Sequence, residues 1–113
     1  MQISIQRPSE GLEHVMTVSV NGEGLQATIE KRLKDIQKNV RMDGFRPGKV
    51  PMNMVRARHG QQAHSEAVED MLYETFFNAA RQENLNVAGI LGFEEVSANA
   101  GEDFRFTTKF EIY

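Results

Sequence analysis

The 113 residues include no cysteine, so neither a disulfide framework nor thiol chemistry is open to this chain. No apolar run approaches the roughly 18 residues needed to span a bilayer. No basic stretch followed by an apolar one opens the sequence, so a secretory leader is not expected, and the chain reads as cytoplasmic with no membrane partner. Internal repeats and low-complexity tracts are also missing. Proline is scarce, at Pro8, Pro47 and Pro51, and two of the three fall within one octapeptide. This length fits one domain around one core.

Catalytic groupings are equally hard to find. His14, His59 and His64 do not share one helical face, and Gly60 interrupts the pair that lies five residues apart, so no metal site is expected. His14 falls on an apolar strand face, where a partly buried edge residue is the ordinary role. Glu94-Glu95 and Glu102-Asp103 flank a turn as solvated strand ends. Gly48-Lys49-Val50 lacks the Ser or Thr that a phosphate-binding loop places after its lysine. The chain is therefore expected to need no cofactor and to have no enzymatic activity of its own.

Charge is present but unevenly placed. The whole chain has 13 Lys+Arg against 16 Asp+Glu. Residues 31–58 hold nine of the basic residues (Lys31, Arg32, Lys34, Lys38, Arg41, Arg46, Lys49, Arg56 and Arg58) and two acids, Asp35 and Asp43, a balance of +7. The other 85 residues carry four basic and fourteen acidic groups, a balance of −10. Like charges gathered in one segment repel one another, so an anionic partner at this end of the molecule is the natural explanation. Lys38 and Arg41 have a second reading as cations suited to a helix C-terminus, but Arg46, Lys49, Arg56 and Arg58 do not.

Hydrophobic periodicity gives the order ββ-ααα-ββ. Gln2 to Gln6 alternates around Ile3 and Ile5, Pro8-Ser9-Glu10-Gly11 turns, and Leu12 to Val20 alternates again with His14, Met16, Val18 and Val20 inward. Asn21-Gly22 reads as a helix entry. The helix, Glu23 to Val40, carries its stripe on Leu25, Ile29, Leu33, Ile36 and Val40. Pro51 suits the start of a short helix to about His59, ending at Gly60. A longer helix follows, about Gln62 to Asn84, with a stripe of Val68, Leu72, Phe76 and Ala79 and with Met71 and Ala80 beside it. Met71, Tyr73, Phe76 and Phe77 can be read as core packing or as a peptide-binding patch, and helical spacing favours the core. Asn84 to Gly92 reads as irregular, Phe93 to Val96 as a short strand, Ala98 to Gly101 as a turn and Asp103 to Tyr113 as a strand. The expected class is α+β: an antiparallel sheet from two hairpins, packed against three helices, with a protruding helix-loop-helix tip.

That tip is the octapeptide Gly44-Phe45-Arg46-Pro47-Gly48-Lys49-Val50-Pro51. Its glycines permit unusual backbone angles and its prolines stiffen the chain, so it can hold side chains out at low ordering cost. An ordinary connection between helices is the alternative on composition alone. Gly-Phe-Arg-x-Gly-Lys-x-Pro, preceded by a basic amphipathic helix, resembles the ribosome-docking loop of the trigger factor family of bacterial chaperones. The resemblance extends over essentially the whole chain, through Met1-Gln2-Ile3-Ser4-Ile5, Pro51-Met52-Asn53 and Gly101-Glu102-Asp103-Phe104. It implies a docking domain for a chaperone of nascent polypeptide chains, active in folding and export of newly made proteins.

The resemblance also implies that Gly44, Phe45, Arg46, Pro47, Gly48 and Lys49 meet the large ribosomal subunit. Phe45 and Arg46 would touch ribosomal RNA and a protein beside the tunnel exit. Lys38, Arg41, Arg56 and Arg58 would form a supporting basic surface. The position after Arg46 is Lys in the best-known members and Pro47 here, which shifts weight to Lys49. Full-length members continue into a peptidyl-prolyl cis-trans isomerase domain and a helical domain, so these 113 residues match the isolated N-terminal domain. Two other functions fit the same charge map. One is a stand-alone nucleic-acid-binding domain, although Phe45 is the only aromatic residue in the basic segment. The other is weak homodimerisation, with the basic loop of one copy on the acidic body of another.

Overall fold

Apolar and polar residues alternate along the chain's two ends, and both ends form hairpins of a single sheet. The computed structural model describes residues 1–6, 13–99 and 101–113; the turn expected at 8–11, together with Leu12 and Ala100, lies outside them. Strands β1 (Gln2–Gln6) and β2 (Glu13–Val20) pair antiparallel. So do β3 (Val87–Ser97) and β4 (Phe104–Ile112). Antiparallel pairing of β2 with β4 joins the hairpins in the order β1-β2-β4-β3.

The register sets the faces. Ile3 lies opposite Val18, Ile5 opposite Met16, and Val18 in turn opposite Phe106. Met16, Val18, Phe104, Phe106 and Phe110 are fully enclosed. The opposite face is polar, and Thr17 and Thr107 share a hydroxyl hydrogen bond of 3.2 Å across it. His14 is buried, with its ring tilted against Phe110 at 5.6 Å.

Two helices connect the hairpins, α1 (Glu23–Asn39) and α2 (Met52–Gln82). Asn21 Oδ1 accepts from the Glu23 amide and begins α1. Gly22 sits so close to the Glu102 carbonyl that a β-carbon would lie 2.3 Å from its oxygen, so only glycine fits there. Leu25, Ile29 and Leu33 are buried as their spacing predicts, while Ile36 and Val40 are half-buried. The C-terminal part of α2 covers the sheet, with the Phe76 ring edge-on to Phe110 at 5.2 Å and to Phe93 at 6.3 Å.

The helix count differs from the sequence expectation. The short helix ending at Gly60 and the longer one from Gln62 are a single 31-residue helix. Glycine inside a helix costs only about 1 kcal/mol relative to alanine. Val55, Ala63 and Ala67, on both sides of Gly60, are fully buried in one core with Leu33, and that burial outweighs the glycine cost. The stripe of α2 is also rotated: Val68 and Leu72 are half-buried, whereas Ala63, Ala67, Met71 and Thr75 line the core beside Phe76 and Ala79. The segment expected to be irregular before Phe93 is strand from Val87 onward. Pairing with β4 supplies its ladder, and three register shifts absorb its irregular spacing.

The helices run antiparallel and carry their connection away from the sheet, so the molecule measures 62 × 25 × 20 Å.

Candidate functional site

The loop between α1 and α2 is built from turns rather than from extended chain. The Phe45 amide donates to the Met42 carbonyl at 3.1 Å, and the Lys49 amide to the Arg46 carbonyl at 2.9 Å. Gly44 and Gly48 adopt φ of +85° and +80°, angles that side chains with a β-carbon resist. No atom lies near either position, so backbone conformation, and not crowding, requires glycine there.

One residue anchors the loop. Val50 is 1% exposed and belongs to the hydrophobic core, and its carbonyl accepts from Gln37 Nε2 at 2.7 Å. Phe45 does the opposite and leaves 39% of its surface open. Gly44, Arg46, Pro47, Gly48 and Lys49 are all exposed. The six residues singled out from the sequence therefore form one continuous outward surface, held from beneath by Val50. Beside it, Met42, Asp43, Met54, Ala57 and Arg58 line a shallow cleft of about 550 Å³.

The nine basic residues of the segment divide into two groups. Arg32 is bound across the helical hairpin to Asp70 and, at 3.4 Å, to Glu66. Arg56 grips Glu30 with both terminal nitrogens, at 2.9 and 3.2 Å. These contacts raise the pKa of both guanidinium groups, chiefly through the hydrogen bonds to Asp70 and to Glu30 respectively. Hydrogen bonding from Arg56, against a smaller opposing effect of desolvation, holds the Glu30 carboxyl below the usual glutamate range. Arg56 is exposed, as expected of the supporting basic surface, but its guanidinium is paired with Glu30 within the protein. Lys31, Lys34, Lys38, Arg41, Arg46, Lys49 and Arg58 are exposed and make no ion pair with any described residue. Lys38 occupies the last turn of α1, and Arg58 borders the cleft beside the loop.

Elsewhere the polar groups serve the fold. His64 Nε2 lies 2.8 Å from the Ala98 carbonyl, tying the β3–β4 connection to α2, and His59 Nδ1 lies 3.4 Å from Gln62 Oε1. Among the described residues no three His, Asp or Glu side chains gather as metal ligands. No described helix is long and apolar enough to cross a membrane. The aromatic group on α2 splits: Met71 and Phe76 are buried, while Tyr73 and Phe77 remain 46% and 44% exposed. Val50 as an anchor, and the pairing of Arg32 and Arg56, were not read from the sequence. The acids at Glu30, Glu66 and Asp70 were the available signal for the pairing.

Comparison with known proteins places the chain in a family. A family model described as "Bacterial trigger factor protein (TF)" matches residues 1–113. Trigger factor of Alcanivorax borkumensis is 43% identical over 113 residues, and that of Hydrogenovibrio crunogenus 36%; each comparison covers 100% of this chain and 26% of the relative. The chain thus spans about a quarter of the length of the curated relatives it matches. A solved structure described as "Promiscuous Substrate Recognition in Folding and Assembly Activities of the Trigger Factor Chaperone" superposes with a TM-score of 0.69 at 15% identity, over 99% of this chain and 26% of that one. At that identity the superposition speaks for the fold alone, and it is the sequence match along all 113 residues that makes this chain a member of the bacterial trigger factor family.

Proposed function

We propose that residues 44–51 are the ribosome-docking tip of a chaperone that meets nascent chains, and that the chain is the N-terminal domain of such a protein. The observation that carries this reading is the exposed Phe45-Arg46 pair, set between two positive-φ glycines at the end of a helical hairpin. Such a tip loses little conformational freedom on docking. Arg46 and Lys49 offer charge-assisted hydrogen bonds to the phosphates of ribosomal RNA, and Arg46 can bind in bidentate fashion. Phe45 offers apolar area to a protein beside the tunnel exit of the large subunit. Lys38, Arg41 and Arg58 add attraction without fixed geometry, and Arg56 contributes less because Glu30 holds it. The domain would act in the cytoplasm on newly made proteins, and isomerase activity is not assigned to these residues. Free of the ribosome, the same loop would support weak, salt-sensitive self-association with the acidic body of a second copy. A stand-alone nucleic-acid function gains nothing, because no second aromatic accompanies Phe45 to build a stacking platform.

Co-sedimentation with bacterial large ribosomal subunits tests the proposal. The wild-type domain is expected in the ribosomal pellet, and Phe45→Ala and Arg46→Glu are expected to release it while leaving its circular dichroism unchanged. Undiminished binding by both variants would remove the loop from the docking surface.

A further inference from the structure

The polar face of the sheet divides into two unlike halves. Gln2, Ser19 and Arg105 stand side by side across β1, β2 and β4, and Ser4, Thr17 and Thr107 form the next row. Residues in such register present their side chains on one face. Farther along that face, Glu13 lies opposite Glu111, and Lys109 is bound to Glu94 at 3.6 Å. The half that holds Arg105 has no acid to balance it. Arg105 is exposed and makes no ion pair with any described residue. Beside it runs an open depression of about 390 Å³, lined by Gln2, Ile3, Ser4, Thr17, Ser19 and Arg105. None of these residues carries a carboxylate.

We propose that this depression binds a phosphate group, free or carried by a small monoester. Arg105 supplies the charge and a fork of N–H donors whose geometry matches two oxygens of one anion. Gln2 adds an amide NH₂, and Ser4 and Ser19 add hydroxyls that rotate to suit an acceptor. Thr17 and Thr107 share one hydrogen bond, in which either hydroxyl can donate. When Thr107 donates, the Thr17 hydroxyl is left to donate to the ligand. Neighbouring strands lie about 4.8 Å apart, so β1 and β4 stand roughly 10 Å apart on either side of β2. That width admits one tetrahedral anion with hydrogen bonds on both sides. A carboxylate has two oxygens, and one bidentate arginine satisfies both. The further donors on β1 and β2 call for an anion with more acceptors, which a phosphate has. The depression is open to water, so the affinity is modest, on the order of millimolar. Arg105 lies outside the basic segment 31–58, and the site is separate from the loop that ends the helical hairpin.

Amide NMR titration of the ¹⁵N-labelled chain with inorganic phosphate tests the site, with chloride exchanged so that ionic strength stays constant. The pH is set near 7.5, where a phosphomonoester is mostly dianionic. Saturable shifts are expected at Gln2, Ser4, Thr17, Ser19 and Arg105. Arg105→Gln should raise their midpoint at least fivefold while the remaining amides keep their dispersion. Arg46→Glu, which removes charge from the loop instead, should leave the midpoint unchanged. Acetate should bind at least fivefold more weakly than phosphate. Methyl phosphate separates the two sources: a midpoint below that of inorganic phosphate assigns the site to monoesters, the reverse order assigns it to the free ion, and each supports the proposal. Shifts that never saturate, shifts confined to residues 31–58, or an Arg105→Gln midpoint equal to that of the wild type would overturn it. Acetate binding as tightly as phosphate would overturn the choice of ligand and make the depression a carboxylate site.

Discussion

Val50 and Phe45 lie five positions apart in the same loop and should respond to truncation in opposite ways. Val50 is 1% exposed and packs in the core, so Val50→Ala removes two buried methyl groups and leaves a void. At about 0.8 kcal/mol per methylene-sized group plus a cavity contribution, the loss comes to about 2–3 kcal/mol. For a domain of this size that corresponds to a fall in Tm on the order of 10 °C. Phe45 leaves 39% of its surface open and is not among the residues packed against the core, so Phe45→Ala should cost less than about 1 kcal/mol. Urea unfolding followed by circular dichroism measures both, and ribosome co-sedimentation below the unfolding transition supplies the second axis. Expected are a destabilised Val50→Ala that still docks once folded, and a stable Phe45→Ala that does not. A Phe45→Ala variant as unstable as Val50→Ala would mean that the aromatic ring plugs the loop into the body, and the case for an outward docking tip would fall with it.

Docking through phosphate contacts should weaken by about tenfold or more between low and physiological salt, and an affinity flat across that range in filter binding would point to a contact made mainly by Phe45. Gly60→Ala should raise stability by about 0.5–1 kcal/mol in urea unfolding, because the new β-carbon meets only Arg56 Cγ at an ordinary 3.8 Å and the helix continues through this position; destabilisation would mean that the helix needs the glycine. Since Arg56 lowers the Glu30 carboxyl, the pair's stabilisation is complete above the ordinary glutamate range and is lost as pH falls through the lowered value. Arg56→Met should therefore flatten the acid limb of the stability profile between about pH 5 and 3, and an unchanged limb would rule out the pair as a contributor.

Strands β1, β2 and β4 and the outer boundaries of the helical region follow from periodicity because burial repeats along them. Phe104, Phe106, Thr108 and Phe110 alternate inward as their spacing predicts, and Leu25, Ile29 and Leu33 do the same at helical spacing. Gly60 misleads because a local preference worth about 1 kcal/mol is overruled by contacts with α1, a partner some 30 residues earlier in the chain. The course of β3 before Phe93 is hidden for a related reason: its pairing comes from β4, and its shifts in register erase the alternation. At the candidate site the outward residues were legible from composition. The division of the basic residues was not, since Arg32 and Arg56 find their acids on the other helix, Arg56 reaching back 26 residues to Glu30 and Arg32 forward 38 to Asp70.

The unbroken course of α2 through Gly60 gives the molecule leverage. A 31-residue helix extends about 46 Å, with Pro51 at one end and the aromatic packing of Phe76 near the other. With the tip held fixed, a tilt of about 5° at its base carries the sheet sideways by roughly 4 Å. Two shorter helices would have lost such a rotation in the joint between them. One rigid shaft transmits it, so a small adjustment of footing at the loop becomes a change in where the whole body reaches.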